Sequence, residues 1–187
     1  ADADSAETDV TSSDNSLRRL ESRARLFEPL TDQMLRQCGL GLGMRVLDVG
    51  CGTGDAALLA SRFVGTRGAV VGIDASGKAI ATARQRAHEL RARNVTFLRG
   101  SLDHYTSTER FDAVIGRFVL MHQPDPAATL RRVASFVRPG GVVAMMESHL
   151  DALVLEWHSW PASAAYGTLL DVMLKTIKAA GGRTDMG

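Results

Sequence analysis

Short apolar runs rich in β-branched residues alternate with longer amphipathic stretches through the middle of the chain. The runs have the length and composition of buried strands and predict five of them, at Arg45–Val49, Ala69–Asp74, Val95–Arg99, Asp112–Gly116 and Val142–Glu147. Between the strands, apolar residues recur at helical spacing and predict helices at Ala56–Val64, Lys78–Arg93 and Pro126–Val137. The turn Arg138-Pro139-Gly140-Gly141 is expected to end the last of these helices.

Helical spacing also appears before the first strand. Leu20, Ala24 and Phe27 predict one helix. Pro29 is expected to open a second helix, which Gly39 ends, because proline suits the first helical position and glycine the position after the last. Two short helices are therefore predicted ahead of the first strand.

Strands that are apolar on both faces and separated by helices favour a parallel sheet that is covered on both sides. We predict an α/β fold: a Rossmann-like, doubly wound, mainly parallel sheet with helices on both faces. In such a sheet the ligand site lies at the carboxyl ends of the strands. After the fifth strand the pattern predicts one more helix, at about Ala164 to Ala180, which Gly181-Gly182 ends.

Length and composition indicate one domain, since 187 residues with 45% hydrophobic content can bury a single core. Residues 1–16 are acidic and lack apolar periodicity, so they are predicted to be a disordered tail, with the domain at 17–187. No run approaches the ~20 apolar residues of a membrane helix, and the first residues do not resemble a secretory signal. We expect a cytoplasmic protein without a membrane partner.

The distribution of charge bears on nucleic-acid binding, and the cysteine content bears on disulfides and zinc. The net charge is +1, but the first 16 residues hold five acids and no base, which leaves 22 basic against 16 acidic residues elsewhere. The arginines are scattered and not interleaved with aromatic residues, a pattern typical of a solvated helix face, so no nucleic-acid binding is predicted. Cys38 and Cys51 suffice for neither a disulfide framework nor a zinc site and are expected to be free thiols.

The stretch VLDVGCGTGD at 46–55 joins the first strand to the first helix of the sheet through three glycines. A glycine-rich turn of this kind exposes backbone N–H groups and a helix N-terminus to a closely approaching ligand. A triphosphate loop would carry Lys followed by Ser or Thr after Gly54, where this chain has Asp55-Ala56. Triphosphate is therefore excluded, and a nucleoside-type ligand remains.

The acids around this turn bear on which of two nucleoside-type ligands binds there and on whether the turn is only structural. A dinucleotide fingerprint would place its third glycine at position 55, and the carboxylate of Asp55 opposes a pyrophosphate. S-adenosylmethionine carries positive charge instead, which suits Asp48 and Asp55. Asp74, twenty residues after Gly54, can accept both ribose hydroxyls in either case. The turn could also be a plain connection and the strand-end acid a helix cap.

Five motifs in order carry a resemblance to a known family: VLDVGCGTGD (46–55), VVGID (70–74), VTFLRGSL (95–102), FDAVIGRFVLMHQPDP (111–126) and VRPGGVVAMME (137–147). From about Arg23 to Glu147 the chain resembles the class I S-adenosylmethionine-dependent methyltransferases of the small-molecule type. The resemblance implies S-adenosyl-L-methionine as cofactor. The cofactor-binding positions that it implies are Asp48, Gly50, Cys51, Gly52, Gly54, Asp74, Ala75, Ser76, Ser101, Leu102 and Arg117.

One of these positions departs from the family. Ser101 stands where the family commonly has an aspartate that holds the adenine edge. The serine hydroxyl, or Asp103 two positions on, can accept from the adenine amino group instead.

We expect the residues that contact the methyl acceptor to follow the fourth strand, at the ligand-binding edge of the sheet, and to lie in the segment after the fifth strand. Phe118 and His122 follow the fourth strand, and His122 is the first candidate for a general base, ahead of His149 and His158. Trp157 and His158 are the substrate candidates in the later segment, and the alternative is that such aromatic residues form core or homodimer contacts. Methyl transfer from a sulfonium needs alignment and exclusion of water, so neither a metal nor a covalent intermediate is expected.

The leading prediction is methyl transfer to a small organic acceptor by in-line displacement. The alternatives are a non-catalytic S-adenosylmethionine-binding or partner subunit and, disfavoured by Asp55, a nicotinamide oxidoreductase. The family's sheet normally continues with two further strands after the fifth. We therefore expect that the chain is a fragment, with a truncated helical substrate-covering segment at 147–187.

Overall fold

A computed structural model describes residues 26–149, 151 and 163–186. Its five strands pair in parallel to form one sheet in the order β3-β2-β1-β4-β5. The strands are β1 (Arg45–Val49), β2 (Ala69–Asp74), β3 (Val95–Arg99), β4 (Phe111–Arg117) and β5 (Val137–Met146). The order reverses at β1, so the predicted doubly wound α/β fold is confirmed.

The described helices are α1 (residues 26–37), α2 (Asp55–Val64), α3 (Gly77–Glu89), α4 (Pro126–Ala134) and α5 (Ala164–Ala179), with a 3₁₀ turn at Leu120–His122. The predicted tail, Leu20, Ala24, Trp157, His158 and Trp160 lie outside the described residues. None of the helices in the described part of the chain combines the length and apolar character that a membrane span requires.

Both faces of the sheet bury apolar side chains because successive strand residues point to opposite sides. On one face, Val46 of β1 packs with α2 and α3 in a cluster that also contains Leu35 of α1. On the other face, Leu47 and Val49 pack with Val133 of α4. The sheet thus separates two clusters, and the carboxyl ends of its central strands remain open to a ligand.

Three helix boundaries differ from the prediction by more than one residue. The described part of α1 runs through Pro29 without a break, so the predicted second start at this proline is wrong. α3 ends at Glu89 and not at Arg93, because Leu90 caps it and Arg91 turns into the left-handed region at φ 53°. α4 ends at Ala134 and not at Val137, since the chain already joins the sheet there.

The segment Arg138 to Gly141 does not serve as the helix-stopping turn that the sequence predicts. Val137 pairs with Phe111 and Val142 pairs with Ala113, so the four intervening residues bulge out of β5 opposite a single residue of β4. Gly140, at φ 74°, permits this bulge. α5 does end as predicted, with Gly181 at φ 78°.

Candidate cofactor and active site

Two adjoining cavities open above the carboxyl ends of β1, β2 and β4. The first, here called the loop cavity, is an open depression of about 700 Å³, which includes solvent at its mouth, and is lined by the glycine turn together with Phe27, Asp48, Asp55, Arg117, Phe118 and His122. The second, the strand-end cavity, is a similarly open depression of about 740 Å³, lined by Ile73, Asp74, Ala75, Ser101, Leu102, Asp103, Phe118, His122 and Gln123 among others. Gly50, Phe118 and His122 line both cavities, so the two join into one groove.

The three glycines of the turn have different roles. All adopt positive φ, at 62°, 53° and 85° for Gly50, Gly52 and Gly54. A Cβ atom on Gly50 would lie 2.8 Å from Val119, and one on Gly54 would lie 2.6 Å from the ring of Phe97. A Cβ atom on Gly52 meets no atom of the described residues within 4 Å. Gly52 therefore faces the loop cavity, whereas Gly54 is required for packing and does not line either cavity.

Asp74, at the end of β2, ties the glycine turn to the start of α3. The backbone N–H of Gly52 donates to its Oδ2 atom at 2.9 Å, and the N–H of Ser76 donates to its Oδ1 atom at 2.8 Å. Each oxygen retains a second lone pair, because a carboxylate offers about four acceptor positions. Asp74 can therefore accept from a ligand's hydroxyls without giving up the contacts that orient it.

Asp48 is a buried acid beneath the loop cavity, with 1% of its surface exposed. Burial raises the pKa of Asp48 to about 7, and the positive charge of Arg117 and the N–H of Ala57 moderate the rise. Its Oδ2 atom has no hydrogen-bond partner among the described residues. A buried acceptor without a partner is costly, so this oxygen favours a cationic or hydrogen-bond-donating ligand in the loop cavity.

The structure assigns Asp55 a different role from the one that its sequence position suggested. Its carboxylate lies 2.6 Å from Nη1 of Arg86 and 3.4 Å from Nη2 of Arg117. Nη1 of Arg86 directs its hydrogen bond to the carbonyl of Thr53, so the closer contact is an ion pair without hydrogen-bond alignment. Two guanidinium groups thus compensate the charge of Asp55, and Asp48 is the acid left to attract a cation.

Arg117, at the end of β4, joins α1 to the rim of the loop cavity. Its Nη1 atom donates to the hydroxyl of the buried Thr31 at 2.9 Å. Its guanidinium carbon lies 5.9 Å from the ring centroids of both Phe27 and Phe118. α1 is therefore held over the loop cavity by one arginine that reaches 86 residues back along the chain.

The strand-end cavity holds most of the residues predicted to contact adenine. Ala75, Ser101 and Leu102 line it, and Asp103 lines it as well. Ser76, by contrast, does not line the strand-end cavity in the described part of the chain. Its hydroxyl accepts from the N–H of Ala79 and caps α3, because a serine at this position satisfies a free donor of the first helical turn.

Phe118 lies just before the 3₁₀ turn and His122 ends it, and both contribute to the wall shared by the two cavities. Phe118 adopts φ 57°, which is sterically unfavourable for an aromatic residue, and its ring packs edge-on against Phe27 at 4.9 Å. His149, the second candidate base, lies elsewhere: it is exposed and forms an antiparallel bridge with Asp185. Trp157 and His158 are outside the described residues.

Several residues of the site carried no recognised signal in the sequence. Phe27 and Thr31 reach the site only because α1 folds over it, and no local pattern reveals such a contact. Arg86, predicted to be solvated on its helix face, instead holds the glycine turn. Glu147 accepts from three backbone N–H groups of the 3₁₀ turn. An acid at the end of a strand was the signal that marked Asp74, and the same signal could have marked Glu147.

Metal-binding residues do not cluster in the described ranges, where no three His, Cys, Asp or Glu side chains are grouped to hold an ion. Cys51 is buried within the turn, and burial raises the pKa of its thiol, with Asp48 and Asp74 adding to the rise. Among the described residues, the other ionisable side chains that line the groove are acids, Arg117 and His122.

Comparison with known proteins agrees with this arrangement. Residues 40–180 match a family described as a methyltransferase domain, which covers more than half of the chain. The chain belongs to the class I S-adenosylmethionine-dependent methyltransferases. The resemblance indicated by the five motifs is thereby confirmed.

Three relatives illustrate the methyltransferase family around this chain. A 2-phytyl-1,4-naphtoquinone methyltransferase of Synechococcus elongatus is 36% identical over 109 residues, which cover 57% of this chain and 47% of the relative. A ubiquinone biosynthesis O-methyltransferase of Alkalilimnicola ehrlichii is 39% identical over 120 residues, 63% of this chain and 47% of the relative. The chain thus spans about half the length of these curated relatives.

The third relative has a solved structure. It is a SAM-dependent methyltransferase from Geobacter sulfurreducens in complex with S-adenosyl-L-homocysteine, 31% identical with a TM-score of 0.52. The match covers 61% of this chain and 44% of that chain.

Proposed function

We propose that this methyltransferase domain binds S-adenosylmethionine along the groove formed by the two cavities and that the whole protein transfers the methyl group to a small organic acceptor. The observation that carries the proposal is the pair of joined cavities with Gly50, Phe118 and His122 in common. A ligand with a polar cationic end and a nucleoside end fits a groove with an unpartnered buried acid at one end and a strand-end acid at the other.

The residues of the groove divide between the two ends of the cofactor. Asp74 retains the lone pairs that would accept both ribose hydroxyls. Ala75, Ser101 and Leu102 would face the adenine, with the serine hydroxyl in place of the family's usual carboxylate. In the loop cavity, the free Oδ2 atom of Asp48 would accept from the α-ammonium group, and the N–H groups of the glycine turn would approach the amino-acid end.

Arg117 supplies charge balance at the loop cavity. Its guanidinium compensates Asp55 and lowers the pKa of Asp48, so it favours the ionised form of the acid that the cofactor's ammonium group requires. Arg117 also lines the loop cavity, where a cofactor carboxylate can lie within its reach. Arg117 would thus attract the carboxylate of the cofactor directly and serve its ammonium group only through Asp48.

The acceptor would lie beside the shared wall of the groove. Phe27 and Phe118 place two aromatic rings there, a surface that suits a flat ring. One relative is named a naphtoquinone methyltransferase and the other an O-methyltransferase of ubiquinone biosynthesis, which supports a hydroxylated or quinone-type ring as the acceptor class. The bound cofactor supplies an activated methyl group, and the His122 imidazole would take the proton of an acceptor hydroxyl.

The remaining proposals concern the setting of the reaction. We propose a cytoplasmic protein that does not bind nucleic acid, as its composition suggests. A homodimer is proposed on the exposed apolar residues of α5, where Leu169 is 63% exposed and Val172 is 54% exposed. Light scattering after gel filtration tests the dimer.

Calorimetry with S-adenosylhomocysteine and, separately, with NAD tests the cofactor assignment. We expect the chain to bind S-adenosylhomocysteine and not NAD. Asp74→Ala should weaken the binding of S-adenosylhomocysteine by about 100-fold, because the hydrogen bonds from the ribose hydroxyls to a charged acceptor are lost. Asp171→Ala, in an exposed pair on α5, is the matched control and should bind as the parent does. NAD binding without binding of the homocysteine nucleoside would overturn the proposal.

Methyl transfer is tested on the whole protein with labelled S-adenosylmethionine and a panel of hydroquinones and phenols. Label in an organic product supports the proposal. Tight cofactor binding without transfer to any acceptor of the panel would favour the non-catalytic alternative instead.

A further inference from the structure

The wall shared by the two cavities is the short segment Phe118 to His122, which begins with a strained residue. Phe118 holds a left-handed backbone conformation at φ 57°, although it is neither glycine nor asparagine. Such conformations persist only where surrounding contacts determine them. Because the residues at both ends of the segment line both cavities, the conformation of this wall sets the shape of the whole groove.

One carboxylate accounts for much of this constraint. Glu147 follows β5 directly, and its Oε1 atom accepts from the N–H groups of Val119 at 2.9 Å and Leu120 at 2.8 Å. Its Oε2 atom accepts from the N–H of Met121 at 3.3 Å. These are the donors that open the 3₁₀ turn, and they have no intrahelical partner of their own. Hydrogen bonds to a charged acceptor are stronger than neutral ones.

Two backbone contacts hold the same segment from either end. The N–H of Phe118 donates to the carbonyl of Met146 at 2.8 Å, one residue before Glu147. The N–H of Arg183, beyond α5, donates to the carbonyl of Met121 at 2.7 Å. The wall is therefore fixed to the end of β5 through one side chain and one backbone bond, and Glu147 supplies three of the hydrogen bonds.

Glu147 is not one of the residues that line the two cavities, so its action on a ligand is indirect. We propose that Glu147 is a positioning residue, which holds the segment 118–122 in its strained form and thereby sets Phe118 and His122 against cofactor and acceptor. This inference rests on the proposed function of the same groove. Its first consequence, an ordered segment, holds in the absence of any ligand and can be measured separately.

Amide hydrogen exchange on the ligand-free chain tests the ordering directly. In Glu147→Ala the amides of Val119, Leu120 and Met121 should exchange at least about tenfold faster than in the parent chain, because their common acceptor is gone. In Glu147→Gln, which keeps the shape but offers one acceptor oxygen, the increase should be smaller. Unchanged protection of these three amides in Glu147→Ala would overturn the proposal.

Calorimetry with S-adenosylhomocysteine then tests the consequence for the groove. Affinity should fall about tenfold in Glu147→Ala and less in Glu147→Gln, and the glutamine variant carries the comparison if the alanine variant fails to fold. Asp125→Ala is the matched control. It removes another capping carboxylate, which accepts from Ala128 at 2.8 Å just beyond the segment and outside both cavities.

The control separates positioning from general stabilisation. Asp125→Ala should lower the melting temperature while its affinity for S-adenosylhomocysteine stays within about twofold of the parent. An equal loss of affinity in Asp125→Ala, or parent-like affinity in both Glu147 variants, would show that the carboxylate acts on stability alone. If the parent chain fails to bind S-adenosylhomocysteine, the proposed function is wrong. The hydrogen-exchange experiment still decides whether Glu147 orders the segment.

Discussion

At the scale of single residues, Asp48 combines burial with an unsatisfied oxygen. It is enclosed below the glycine turn, its Oδ2 atom has no partner in the described structure, and burial raises its pKa to about 7. In water the same side chain ionises near pH 3.8. The ligand-free fold thus bears the cost of an acid that suits a cation, an arrangement typical of sites that store strain for binding.

The replacement Asp48→Asn should reveal this cost. A raised pKa means that the folded chain binds the Asp48 proton more tightly than the unfolded chain, so the contribution of this group to stability falls as pH rises from about 4 to about 7. Asparagine does not ionise. The ligand-free variant should therefore gain stability relative to the parent, by about 1–3 kcal/mol at pH 8 and less at pH 5.

Urea unfolding at pH 5 and pH 8 measures the effect. Asp74→Asn is the matched comparison, because both oxygens of Asp74 accept backbone hydrogen bonds and the amide replacement should destabilise the chain. A stability change in Asp48→Asn that is the same at both pH values would contradict the assigned ionisation.

At the scale of elements, the start of α2 is locked against β3 and α3. The ring of Phe97 in β3 lies where a Cβ atom of Gly54 would be, and Ala83 of α3 lies 3.2 Å from the same position. Gly72 of β2 is limited by the same ring at 2.7 Å. Packing therefore constrains the glycine turn at Gly54 without any contribution from a ligand.

Two glycine replacements separate the cost of a positive φ from the cost of close packing. Gly52→Ala and Gly54→Ala both place a side chain at positive φ, 53° and 85°, which costs about 1–2 kcal/mol. Gly54→Ala also places its Cβ atom 2.6 Å from Phe97, and overpacking should raise its total loss of stability to about 2–5 kcal/mol.

Chemical denaturation gives the two losses, and the double variant Gly54→Ala/Phe97→Leu should recover part of the larger one. Equal losses for the two glycines would show that the ring of Phe97 moves aside without cost.

At the scale of the whole molecule, the groove is assembled from parts far apart in sequence. The ends of β1, β2 and β4 meet there because the strand order reverses at β1, and α1 is fastened over it by Arg117 and the Phe27–Phe118 contact. A ligand that contacts all of these parts stabilises the folded state as a unit, since it has no comparable site on the unfolded chain.

A thermal shift should follow. At 100 times its dissociation constant, S-adenosylhomocysteine should add about 2.7 kcal/mol to the stability, which raises the melting temperature by roughly 5–11 °C for a domain of this size. Differential scanning fluorimetry measures the shift, with NAD at the same concentration as the control. An equal shift with NAD would contradict the cofactor assignment.

The class of fold and the bounds of three strands were determined by the sequence alone, whereas β5 begins at Val137 and not at the predicted Val142. β1, β2 and β3 begin and end where the pattern predicts, because apolar runs of five or six residues and the turns around them are local features. The alternation of strands and helices also determined the doubly wound sheet, and that sheet directs Asp74 and the glycine turn to one edge. The cap of α4 by Asp125 was predictable for the same local reason.

Contacts that span the chain were decided only by the tertiary structure. The charge of Asp55 is compensated by Arg86 and Arg117, 31 and 62 residues away, so its position in the motif could not reveal its partners. Glu147 reaches a turn 26 to 28 residues earlier through the pairing of β4 with β5. Periodicity reports which face of an element is buried, whereas side-chain partners depend on which elements meet, and only the folded chain brings those together.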